Sequence, residues 1–159
     1  MHVVSMTFVA LLICGLLSAT VSAQDDKPDS DLNGLLRKAA RQYQRGDVDA
    51  AIKTAGQAIQ AAPNKPDGYR LRAHIHSSQR HYAKAVADLS QTIRIDPKQA
   101  EAYYRRGCEN FRAGRIDASV ADFDKFVVLR PKAESRQWER GISDYYAGKF
   151  KQGAKQFEL

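Results

Sequence analysis

The chain has 159 residues, of which 43% are hydrophobic and 27% charged, and a formal net charge of +7. That length supports one globular domain with a true core, and that mixture excludes a disordered polymer. The positive charge suits encounters with anionic partners or surfaces and says nothing of fold.

Val3 to Val21 carry no charged residue and include the run FVALLICGLLSA. Val21, Ser22 and Ala23 follow, small or modest residues at the positions a signal peptidase reads, and QDDKPDSD then begins. Residues 1–23 read as a secretory signal cut after Ala23, so the mature chain is expected to start at Gln24 and to be periplasmic or secreted. Only His2, with no Lys or Arg, precedes the apolar run. An uncleaved N-terminal membrane anchor is therefore the alternative. Cys14 invites a lipoprotein reading, but Ile13 stands where such signals take a small residue. Without the signal, Cys108 is the sole cysteine and no intramolecular disulfide can form. Its expected role is that of a small buried hydrophobe rather than a reactive thiol.

Residues 24–31 form an acidic linker, and beyond it the sequence repeats. Pro63, Pro97 and Pro131 recur every 34 residues and divide the chain into units 32–65, 66–99, 100–133 and a partial 134–159. In the first unit Leu35 opens a helix, Ala39 is small, and Gly46 followed by Val48 marks a tight turn. Ala51, Ala55 and Ile59 then line a second helix that Pro63 ends. The second unit repeats this with Tyr69, Ala73, Tyr82, Ala85, Leu89, Ile93 and Pro97, but has Arg80 in place of the turn glycine. The third runs Tyr103, Gly107, Gly114, Ile116, Ser119, Phe123, Val127 and Pro131. The fourth carries Gly141, Gly148, Phe150, Gly153 and Phe157. Each unit therefore predicts two antiparallel helices meeting where small side chains let the backbones approach, with inner stripes held on one face by i, i+4 spacing.

These residues resemble tetratricopeptide repeats over 32–159, and the third unit, AEAYYRRGCENFRAGRIDASVADFDKFVVLRP, follows the family pattern nearly end to end. The first unit departs from it, with Gln42 where an aromatic is usual and Tyr43 one residue later. The resemblance implies an all-α, right-handed solenoid of helical hairpins, three full repeats and part of a fourth, with a concave groove lined by first helices. It also implies an exported scaffold that binds a protein or peptide segment in that groove. Carried over unit by unit, the family's groove positions fall on Arg70 and His74, then Tyr104, Arg105 and Cys108, then Trp138, Ile142 and Tyr145. Such a lining would be basic and aromatic, and Arg forks suit carboxylates, so an acidic segment is the expected complement. One branch of the family clamps the C-terminal carboxylate of chaperone tails with Lys and Asn. Here those places hold Leu36 and Ala40, or Arg70, His74 and Arg105 one unit later, with Glu139 where a base is needed.

Catalysis is not expected. His74, His76 and His81 lack the i, i+4 mate of a helical metal site, and no phosphate-cradling loop or nucleophile elbow is present. Neither a metal nor a cofactor is expected. The rival reading is electrostatic binding of an anionic polymer, nucleic acid or an acidic wall polymer. The linker holds four Asp and one Lys, so the other 24 basic and 14 acidic residues give 32–159 a balance of +10. Those bases are spread over outer helix faces, which favours a solvated surface over specific nucleic-acid binding. Finally, Phe150, Ala154 and Phe157 form an apolar stripe in a second helix that stops at Leu159. This edge is expected to be covered by further chain of a longer protein or by self-association.

Overall fold

The architecture comes from a computed structural model that describes residues 26–132, 138–149 and 153–154. The expected signal segment, Phe150, Phe157 and the Trp138 side chain lie outside the described residues, and with them the expected C-terminal edge. Seven helices are described: α1 Asp26–Gln44, α2 Val48–Ala61, α3 Pro66–Ser78, α4 Tyr82–Ile95, α5 Ala100–Arg112, α6 Ile116–Leu129 and α7 Trp138–Tyr146. They pack as antiparallel pairs, α1 with α2, α3 with α4 and α5 with α6, and each pair stacks on the next. The fold is all-α and the stack is of the expected kind. One boundary differs, because α1 begins at Asp26, inside the segment expected as an acidic linker.

Small residues let the paired helices close. Ala39, Ala51, Ala73 and Ala85 are buried. A Cβ placed on Gly107 would lie 2.9 Å from the Phe123 ring, so the α5 backbone rests directly on that aromatic. Phe123 is 1% exposed, and burying a Phe is worth roughly 1.5–3 kcal/mol. On the far side of the same contact, Ser119 donates to the Gly107 carbonyl at 2.8 Å and its hydroxyl lies 3.1 Å from that of Ser143. Ser143 in turn donates to the Glu139 carbonyl at 2.9 Å.

The turns inside the hairpins share one geometry. Gly46, Gly114 and Gly148 have φ of 87°, 73° and 76°, and Arg80 takes φ 57° at the equivalent place. At each, paired backbone bonds recur, as in Arg80 N–H to the Ser77 carbonyl and His81 N–H to the His76 carbonyl, both 2.9 Å. That is the Schellman closure, whose left-handed residue is usually glycine. Arg80 adopts the conformation without the residue suited to it, because the stacked helices fix the turn. Between units, α2, α4 and α6 end at Ala61, Ile95 and Leu129, each just ahead of its proline.

Two buried ion pairs brace the hairpins in register. Arg72 forks onto Asp88 at 2.9 and 2.7 Å, and Arg106 forks onto Asp122 at 2.9 and 2.6 Å. Both carboxylates are 4% exposed, and Asn110 adds a bond to Asp122 at 2.9 Å. The first unit has Lys38 and Thr54 at these places and lacks the brace.

Candidate functional site

The 34-residue register brings corresponding positions of α3, α5 and α7 side by side, and a cavity of about 480 Å³ lies between them. Arg70 and His74 on α3, Tyr104, Arg105 and Cys108 on α5, and Ile142 on α7 all line it. Trp138 opens α7, but its side chain lies outside the described residues. Tyr145 is not in the lining; it is 58% exposed, with its ring edge-on to Tyr146 at 5.9 Å. Tyr43, displaced by one residue from the expected aromatic position, meets the His74 ring edge-on at 5.5 Å.

The structure adds Ser77, Glu109, Phe111, Arg112, Glu139 and Ser143 to the walls. Tyr104 is the hinge of this arrangement. Its ring packs on Phe123 and Phe126 at 5.8 and 5.3 Å, and its hydroxyl donates to Glu139 Oε1 at 2.6 Å. Burial first, and the bond to Glu139 second, raise its pKa. The neighbouring Cys108 thiol is pushed up to about 11, chiefly by burial, with Glu139 and Glu109 adding and Arg112 opposing. A thiol of that kind is neutral near pH 7 and a poor nucleophile.

Less of the positive charge in the lining stands free than the sequence suggests. Arg105 bonds Glu101 at 2.8 Å, Arg112 bonds Glu109 at 2.7 Å, and Arg70 lies 3.5 Å from Asp67. Three guanidinium groups thus face three carboxylates on their own helices. Glu139 brings a fourth carboxylate, with no cationic partner among the described residues. Glu109 Oε1 accepts from Ser77 and Arg112, while Glu109 Oε2 and Glu139 Oε2 are buried and accept from no group of the protein among the described residues. An unpaired buried acceptor costs roughly 1–3 kcal/mol.

Glu109 had a signal in the sequence, since the repeat aligns it with Ile75, which is wholly buried. A carboxylate where the preceding unit has a core aliphatic marks a change of environment. Among the described residues no group of His, Cys, Asp and Glu is arranged to hold a metal ion.

Residues 70–134 match the tetratricopeptide repeat family model. No curated protein sequence matches the chain. Among solved structures, the first TPR of Spaghetti (RPAP3) bound to the HSP90 peptide SRMEEVD superimposes with a TM-score of 0.69 at 20% identity, covering 75% of this chain and 94% of that one. MamA residues 41 to the end from Desulfovibrio magneticus RS-1 gives 0.71 at 19% identity, over 84% and 74% of the two chains. A mutant O-GlcNAc transferase of Thermobaculum terrenum gives 0.64 at 21% identity, over 76% of this chain but 23% of the enzyme. At these identities the likeness is one of fold.

Proposed function

We propose that this tetratricopeptide repeat protein is an exported, non-catalytic scaffold that grips a segment of another protein between α3, α5 and α7. The observation that carries the reading is the cavity of about 480 Å³, to which three successive units each contribute apolar and polar side chains. Ligand sites commonly have that size and mixture. The first TPR of Spaghetti takes a peptide in its solved structure, which supports a peptide-binding role for a similar stack. An acidic tail such as the one in that complex suits this groove poorly, because Glu139 lies in its wall. Export rests on residues 1–23 alone. N-terminal sequencing of exported material should read Gln24, and a start at Met1 would replace the signal with an anchor.

Capture of a partner from the matching compartment, followed by titration, tests the groove. Arg105→Ala and Trp138→Ala should each weaken binding by about 2 kcal/mol while leaving helicity intact. Equal binding by wild type and both variants would remove the assignment. The +10 balance of residues 32–159 keeps polyanion binding as a second reading. Such a complex weakens steeply with salt, whereas one anchored by apolar contacts does not.

A further inference from the structure

The geometry points to a cation-binding subsite at the Glu139 corner of the groove, built to take a Lys or Arg side chain of the bound segment. This rests on the peptide-groove reading above and reverses the acidic partner that the sequence favours. Glu109 is 4% exposed, and one of its carboxylate oxygens, Oε2, is buried and unpartnered in the cavity wall. Glu139 Oε2 is in the same condition, and the other oxygen of Glu139 is held by the neutral Tyr104 hydroxyl. Two carboxylates on facing helices thus each keep an acceptor that no described residue satisfies.

The groove's own cations do not answer this demand. Arg112 is engaged by Glu109 and Arg105 by Glu101, while Arg70 lies beside Asp67. Among the described residues each of those arginines already has a carboxylate beside it, and Glu139 has no cationic partner. An incoming ammonium or guanidinium supplies one, together with several N–H donors and no acceptor. Tyr104 and Phe111 also line the cavity. They provide apolar and aromatic surface for the aliphatic stem of a long basic side chain.

The test is a selection of randomised, display-borne dodecapeptides on the full chain, wild type against Glu139→Gln, with Asp117→Asn as a control for one lost surface charge. Selected peptides should carry a Lys or Arg at a fixed position. For an individual peptide, changing that residue to norleucine or citrulline should weaken binding about tenfold. Glu139→Gln should produce the same loss, and Asp117→Asn should not. Circular dichroism of Glu139→Gln, which keeps an acceptor for Tyr104, must match wild type for the comparison to be made. If it does not, the norleucine and citrulline peptides on wild type decide alone. Peptides without a fixed basic residue, or with one whose contribution survives Glu139→Gln, would overturn the subsite and leave the groove standing. No selected peptide at all, or peptides indifferent to Arg105→Ala and Trp138→Ala, would remove the groove reading and the subsite with it.

Discussion

The Phe123 ring lies against Gly107 so closely that a Cβ there would stand 2.9, 3.1 and 3.2 Å from three of its carbons. Phe123 also reaches the groove wall. Gly107→Ala should therefore destabilise the chain by about 1–3 kcal/mol, as overpacking does. Gly34 in α1 has nothing within 4 Å of its would-be Cβ, and Gly34→Ala should instead stabilise by about 0.4–1 kcal/mol. Urea unfolding midpoints compare the two; a harmless Gly107→Ala would mean the ring can yield.

Arg80 holds φ 57° at the turn where the other units place glycine. A left-handed conformation costs an ordinary residue about 1–2 kcal/mol, and glycine returns about 0.4–1 kcal/mol of that through its freer unfolded chain. Arg80→Gly should leave a net gain of about 0.5–1 kcal/mol, read as a rise in Tm of a few degrees. A fall in Tm would show that the Arg80 side chain holds something its backbone strain conceals.

Asp122 receives both prongs of Arg106 and the Asn110 amide. Asp122→Ala should cost about 3–5 kcal/mol, because it strands a partly buried guanidinium. Arg106→Met combined with Asp122→Ala should recover much of that loss in denaturant unfolding. Failure of the double variant to recover would locate the energy in Asn110 rather than in the ion pair.

Cys108 has its pKa pushed up to about 11. Its thiolate fraction at pH 8 is then on the order of one in a thousand, and alkylation by iodoacetamide should climb about tenfold per pH unit until pH approaches 11. The linkage has a definite sign. Stability held by the neutral thiol is fully present below the ordinary value of 9.0 and is lost as pH rises toward 11. Glu139→Gln should lower the thiol pKa, since the Glu139 charge is one of its raising causes. Alkylation near neutrality at the rate of free cysteine would contradict this burial.

Much of the architecture was readable because its cause is periodic. Prolines 34 residues apart end α2, α4 and α6, and small residues in register mark where the paired helices touch. At Arg80 the turn was readable from register alone, since residue preference is a local signal and the stack imposed the conformation from outside. Register also brought Arg70, His74, Tyr104, Arg105, Cys108 and Ile142 to one cavity. Their electrostatics were not readable in that way. Whether Arg105 faces solvent, ligand or Glu101 is decided by side-chain geometry, and a count of bases cannot show that carboxylates on the same helices already answer them. The start of α1 was missed because acidic, Pro-containing QDDKPDSD reads as a linker, although acidic residues and an early proline also suit a helix's first turn.

Ser119 and Ser143 own two hydroxyl protons, yet three contacts ask for one: the Gly107 carbonyl, the Glu139 carbonyl and the 3.1 Å gap between the hydroxyls themselves. Two protons cannot fill three places, so the contacts are made in alternation, with the mutual one lost whenever both carbonyls are served. The backbone of α5 is thereby tied to that of α7 through a short buried relay that ends in the groove wall. Ser119→Ala would shorten the relay and take one partner from Ser143, which lines the cavity. It frees the Ser143 proton for the Glu139 carbonyl alone, and the wall that carries Glu139 loses one of its ties to the wall that carries Tyr104, whose own bond to Glu139 stays. The width of the groove is thus set partly by this buried relay.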